Sequence, residues 1–140
     1  MSLYVVDASV AIKLYVPEVH SGQAIRFFSD GHELIVPEFM LAEVANIIWK
    51  KSALLGELTE VEAQTIIQAV QELPLGYYYS NDLLPEAMRI ALTAKQTVYD
   101  SLYLALAASQ ECQLMTDDRK LYESLQPTAW AKSVALIEKY

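Results

Sequence analysis

A chain of 140 residues with 54% hydrophobic content has the length of one domain with a substantial core. No run approaches the ~18 apolar residues of a membrane span, the opening Met-Ser-Leu-Tyr-Val-Val-Asp has no basic region of a signal peptide, and the single Cys112 excludes an internal disulfide, which suits a reducing cytoplasm. The net charge of −8 argues against a passive nucleic-acid binder, which needs a basic footprint, but not against a nuclease whose acids hold cations.

There is no repeat, low-complexity tract or Gly/Ser linker, so the chain is expected to form one domain over residues 1–140. Leu3–Asp7 reads as a short buried strand, followed by a helical turn over Ala8–Tyr15 that stops before Pro17. Helical spacing covers Ser21–Ser29, with Asp30-Gly31 as its stop, and Leu34–Val36 is a second strand closed by Pro37. A long helix is expected over Glu38–Leu55. Another covers Thr59–Leu73, opened by a Thr59…Glu62 capping box and stopped before Pro74. Tyr77-Tyr78-Tyr79 is strand-like, more a packed strand than a base-stacking platform. Helices follow at Pro85–Lys95 and Val98–Glu111, then a strand at Gln113–Thr116, a helix at Asp118–Leu125 and a last strand at Val134–Ile137. Short strands alternating with helices define an α/β class: an α/β/α sandwich on a mostly parallel sheet.

Ligands of open parallel sheets bind outside the carboxyl ends of the strands. Asp7 and Asp118 fall at such strand-to-helix junctions. Two further acids sit where an ordinary surface explanation is strained. Glu43 lies beside the apolar stripe of Leu41, Val44, Ala45 and Ile48, forming a polar stripe with Asn46 and Lys50. Asp100 opens Asp-Ser-Leu-Tyr-Leu-Ala-Leu-Ala-Ala, a helix apolar nearly all round. Each acid has a bland alternative. Asp7 could cap a helix, although Ser9 competes for that work. Glu43 could belong to a solvated ladder with Lys50. Asp100 could oppose the helix dipole within a Thr97…Asp100 capping box, and either Asp117 or Asp118 could cap the helix through Leu121. Four carboxylates beside core elements would be costly without compensation, and Mg²⁺ or Mn²⁺ supplies it through oxygen ligands. Arg119 and Lys120 follow directly and, with Lys50, are candidate phosphate contacts. His20 and His32 read as surface residues, and no GxGxxG, Walker A, nucleophile-elbow or Cys/His zinc pattern is present.

Val-Val-Asp-Ala-Ser-Val, Glu-Val-Ala-Asn-Ile-Ile-Trp, Tyr-Asp-Ser-Leu-Tyr-Leu-Ala-Leu-Ala and Leu-Met-Thr-Asp-Asp-Arg-Lys-Leu occur in that order. As a set they resemble the PIN-domain ribonucleases, specifically the VapC-type toxins of bacterial toxin–antitoxin pairs. The resemblance implies that Asp7, Glu43, Asp100 and Asp118 form a catalytic quartet. Asp7, Asp100 and Asp118 would then be the ligands of Mg²⁺, for which Mn²⁺ substitutes. Ser9 and Thr116 match supporting hydroxyl positions, and the Thr-x-Asp spacing favours Asp118 over Asp117 as the fourth acid. The residues themselves read Asn46 as hydrogen-bonding support for Glu43 and Asp117 as sharing metal and capping roles with Asp118. The implied activity is metal-assisted hydrolysis of single-stranded or structured RNA, leaving 5′-phosphate and 3′-hydroxyl ends. The implied partners are RNA, a small antitoxin and a second copy of the chain. The apolar surplus and the two long helices at 38–55 and 59–73 also point to a homodimer.

Two other classes compete with the ribonuclease. A receiver-like Mg²⁺-binding signalling domain would need Asp82 as phospho-acceptor and Lys132 as its partner. A non-catalytic PIN-like interaction module would use its acids only as caps.

Overall fold

In the computed structural model, which describes residues 2–140, five strands form one sheet: β1 (Leu3–Val6), β2 (Glu33–Pro37), β3 (Gly76–Tyr78), β4 (Gln113–Thr116) and β5 (Val134–Leu136). The spatial order is β3-β2-β1-β4-β5, and all four pairings are parallel. The expected mostly parallel sheet is thus wholly parallel among the described residues. Val5 and Val6 are successive and point to opposite faces, yet both are fully buried. Both faces of the sheet are therefore covered, as parallel sheets require.

The helices are α1 (Ala8–Ala11), α2 (Ser21–Ser29), α3 (Met40–Trp49), α4 (Glu60–Gln71), α5 (Ser80–Ala94), α6 (Val98–Ser109) and α7 (Arg119–Leu125). The central one is α6. Its residues Ser101–Ala107 are all buried, and it packs against β1, β2 and β4 with α5 alongside. Thr97 starts it by accepting the Asp100 backbone N–H at 3.1 Å. The expected capping box of α4 is complete: Thr59 Oγ1 accepts the Glu62 N–H at 3.1 Å, and Glu62 Oε1 accepts the Thr59 N–H at 2.9 Å. Gly76 lets edge strand β3 approach its neighbour, since a Cβ there would lie 3.1 Å from Ile35 Cγ2.

Three boundaries differ from the sequence expectation. The helix expected from Glu38 starts at Met40, and the Glu38 N–H donates to the Tyr78 carbonyl, prolonging the β2–β3 ladder by one bond. Its last turn, Lys50–Leu54, widens into a π-helix. The helix expected from Pro85 begins a turn earlier at Ser80, so the proline is internal and cannot donate to the Asn81 carbonyl. The histidines are also not free surface residues. His32 is half-buried among Tyr4, Phe27 and Tyr140, while His20 adopts a left-handed backbone (φ 68°) and bonds to Asp117.

Among the described residues, no helix is long and apolar enough to cross a membrane.

Candidate active site

The chain order reverses between β1 and β4, which are adjacent although two strands and six helices separate them in sequence. That junction is the topological switch point, where parallel sheets leave a crevice at their carboxyl ends. Asp7 stands directly after β1, and Asp117 and Asp118 directly after β4. The Asp7 N–H still pairs with the Met115 carbonyl at 3.3 Å, so the two loops leave the sheet side by side.

Three donors hold the Asp7 carboxylate. Ser9 Oγ donates to Oδ1 at 2.5 Å, the Val10 N–H to the same oxygen at 3.3 Å, and the buried Thr116 hydroxyl also bonds it. Even so, burial pushes the Asp7 pKa up to about 7. The three hydrogen bonds oppose that rise and the charge of Glu43 adds to it. Asp7 does cap α1, as its bland alternative held, but it is also a strained anion in a low-dielectric place.

Glu43 reaches the same crevice from the first turn of α3. Burial raises its pKa, a 2.5 Å hydrogen bond donated by the Tyr103 hydroxyl to Oε1 lowers it, and the charge of Asp100 raises it again. Asp100, in the first turn of α6, is raised by burial and by the charge of Asp118, with Thr97 opposing. Each acid thus feels the next, in the series Asp7–Glu43–Asp100–Asp118. Asp118 caps α7 through Oδ1, which accepts the Leu121 N–H at 2.9 Å, and its own N–H donates to Thr116 Oγ1 at 3.0 Å. With Asp100, Lys95 and Lys120 it lines a groove of about 380 Å³.

Asp117 points elsewhere. Its Oδ2 lies 3.0 Å from Lys13 Nζ and its Oδ1 lies 2.8 Å from His20 Nδ1. Lys13, only 5% exposed, also pairs with Glu18 at 3.2 Å, and Glu18 pairs with Lys51 at 2.9 Å. The Asp117 N–H donates to Ser9 Oγ at 3.1 Å, so this ion cluster joins the Asp7 loop through Ser9.

Sequence reasoning missed Tyr103 and Lys13. Asn46 was expected to support Glu43, but the bond comes from Tyr103, three residues after Asp100 on an apolar helix where a tyrosine reads as core. Lys13 was legible only as a lone cation inside Val10-Ala11-Ile12-Lys13-Leu14-Tyr15. Of the expected phosphate contacts, Lys50 and Lys120 are exposed beside grooves. Arg119 is instead engaged by Glu138 at 2.6 Å and Glu123 at 3.5 Å. Asp82 and Lys132, needed by a receiver-like domain, follow β3 and precede β5, the two edges of the sheet. Four strand spacings, about 19 Å, separate those edges, so the two residues share no site.

The donor set is all oxygen, which suits a hard divalent ion. Among the described residues, no three His, Cys, Asp or Glu side chains are drawn closely enough to enclose a metal by themselves. Mg²⁺ does not need such a cage, because it commonly takes one or two carboxylates and completes its shell with water and substrate phosphate. Carboxylates strung along an open crevice, three of them (Asp7, Glu43 and Asp100) with pKa values raised by burial and by a neighbouring acid, fit such an ion.

A parallel α/β sheet with acids gathered at its switch point defines a class of crevice-bearing proteins suited to cations and phosphates. Residues 4–124 match the PIN domain, and the chain belongs to the PIN-domain family. It is 40% identical over 121 residues to Ribonuclease VapC3 of Pyrobaculum aerophilum, a match covering 85% of this chain and 92% of that protein. A crystal structure of another P. aerophilum protein superposes with a TM-score of 0.72 at 25% identity, covering 99% of this chain and 94% of the other. A toxin–antitoxin complex from Klebsiella pneumoniae shares the fold at a TM-score of 0.67 and 16% identity, over 96% of this chain and 97% of that one. Mycobacterium tuberculosis VapC20, described as a sarcin–ricin-loop-cleaving toxin, does so at 0.65 and 13%, over 81% and 86%.

Proposed function

We propose that this chain is a metal-dependent endoribonuclease, built as one domain over residues 1–140 and acting as the toxin of a toxin–antitoxin pair. The observation that carries the reading is the series of four coupled acids on four separate elements at the switch point. The 40% identity to Ribonuclease VapC3 supports the choice of RNA as substrate.

In this reading Asp7, Asp100 and Asp118 hold Mg²⁺, with Mn²⁺ as substitute. Bound there, the ion stabilises charge developing on the phosphate and favours ionisation of the attacking water. Ser9 and Thr116 fix the direction of the Asp7 carboxylate. Tyr103 occupies Glu43 Oε1, which leaves Oε2 to orient that water and take its proton. Lys50 and Lys120 steady the flanking phosphates, and hydrolysis leaves 5′-phosphate and 3′-hydroxyl ends. The exposed Trp49, Leu54, Leu55 and Val61, at the π-turn and the start of α4, form an apolar face suited to a second copy of the chain. A small antitoxin with a basic segment would complement the −8 charge, and the pair would act in the cytoplasm.

Defined RNAs incubated with Mn²⁺ should be cut, and EDTA should stop the cutting, as should Asp100→Asn. Equal cleavage with and without chelator would sink the proposal.

The doubled aspartate gives a second test. Asp118→Asn keeps an oxygen to cap α7 but loses a charge in the crevice, so cleavage should collapse while the melting temperature holds. Asp117→Asn loses its ion pair with Lys13 and the charged acceptor facing His20, so it should melt earlier yet cleave RNA at permissive temperature. The reverse pattern in melting curves and cleavage assays would move the site by one residue.

A further inference from the structure

Beside Glu43 the crevice opens into an apolar groove of about 460 Å³. It is lined by Phe39, Ala42, Glu43, Asn46, Ile47 and Tyr99. That volume lies in the range of small-ligand sites. The Tyr99 ring is 64% exposed, although it immediately precedes Asp100 on α6. Its neighbour Phe39 lies 6.0 Å away between ring centroids, tilted by 43°, and Phe39 in turn packs 5.1 Å from Tyr103. Tyr103 is the residue that bonds Glu43. A row of three aromatic rings therefore runs from the reacting end of the crevice out to solvent, from buried Tyr103 through half-buried Phe39 to exposed Tyr99.

We propose that this groove is a nucleobase subsite: the base of a nucleotide flanking the scissile phosphate stacks on Tyr99 and Phe39, with the Asn46 amide facing its edge. This rests on the ribonuclease reading, since it takes the scissile phosphate to lie among Asp7, Glu43, Asp100 and Asp118. A base hangs one sugar from its phosphate, so a phosphate at Glu43 and Asp100 brings a base to the adjoining groove by its own covalent geometry. The chemistry matches. Unstacked RNA bases are held by aromatic faces and read by side-chain amides on their edges. Asn46 is exposed at the groove rim, where its amide offers both a donor and an acceptor. An apolar side chain of a protein partner would use the aromatic floor but not the amide.

The experiment compares a short RNA cut at one site with the same RNA made abasic at each nucleotide flanking that site. Each is cleaved by wild type, Tyr99→Ala and Tyr99→Phe in Mn²⁺. Tyr99→Ala should raise KM for the intact RNA by about tenfold, within the range measured for loss of one base stack, with kcat nearly unchanged. Tyr99→Phe, which keeps the ring, should restore KM. One abasic position should cost the wild type a similar factor and cost Tyr99→Ala nothing further. Unchanged kinetics in Tyr99→Ala, or losses that simply multiply, would overturn the subsite while leaving the ribonuclease intact. Absence of Mn²⁺-dependent cleavage by the wild type would overturn the ribonuclease reading and the subsite with it.

Discussion

Asp7→Asn should abolish RNA cleavage and at the same time stabilise the metal-free protein at pH 8. The loss of activity should be roughly 10³-fold or more, the scale of several kcal/mol of charge stabilisation removed from the transition state. The gain in stability follows from burial. The folded-state pKa of Asp7 is about 7 against an ordinary 3.8. Between about pH 4 and pH 7 the folded protein therefore retains a proton that the unfolded chain has released. Stability contributed by this group is present below that window and falls as pH rises through it, by up to about 4 kcal/mol at pH 8. The residue keeps a rim of exposed surface, so that figure is a ceiling. Asparagine imitates the protonated, neutral form and has no such dependence. Urea denaturation in EDTA at pH 4.5, 6 and 8 should show the variant overtaking the wild type progressively as pH rises. Mn²⁺ should then stabilise the wild type far more than the variant, because an ion bound only by the folded state adds to stability. If the variant instead melts below the wild type at pH 8 in EDTA, Asp7 serves only as the cap of α1.

Much of this site was legible because its residues violate local patterns. Asp7 and Asp118 end apolar strands, and Asp100 opens a helix that is otherwise buried, so each stands where a carboxylate needs a reason. The sheet was legible for the same reason that it is parallel: four-residue apolar runs separated by helices leave few other ways to cover both faces. What could not be read is what depends on meeting across the chain. Tyr103 looks like one more core residue until the fold sets its hydroxyl against Glu43, sixty residues away. Asp117 and Asp118 are neighbours with the same chemistry, and only the loop after β4 sends one toward Lys13 and the other toward Asp100. Arg119 looked free to meet a phosphate because Glu138, nineteen residues on, could not be seen folding back to hold it. The early start of α5 was hidden by Pro85, which reads as a first-turn residue but lies inside the helix.

Lys13→Met should be among the most destabilising single changes in the chain, although Lys13 touches none of the four acids of the crevice. The substitution keeps a long apolar stem, so packing is nearly conserved and the effect isolates the charge. Lys13 Nζ, 5% exposed, lies between Glu18 and Asp117, which are themselves only 27% and 23% exposed. Removing one member of a buried ion pair costs about 3–5 kcal/mol, because the partner charges remain desolvated. Glu18 still has Lys51, and Asp117 still has His20, so the lower end, about 3 kcal/mol, is expected here. For a domain of this size that is a fall in melting temperature of roughly 10 °C. Adding Asp117→Asn to Lys13→Met should recover part of the loss, since it neutralises the carboxylate left stranded. Chemical denaturation of the two single variants and the double variant measures that coupling. A loss below about 1 kcal/mol for Lys13→Met would show that the cluster behaves as an ordinary solvated surface pair, and strictly additive losses would show that Lys13 and Asp117 do not compensate one another.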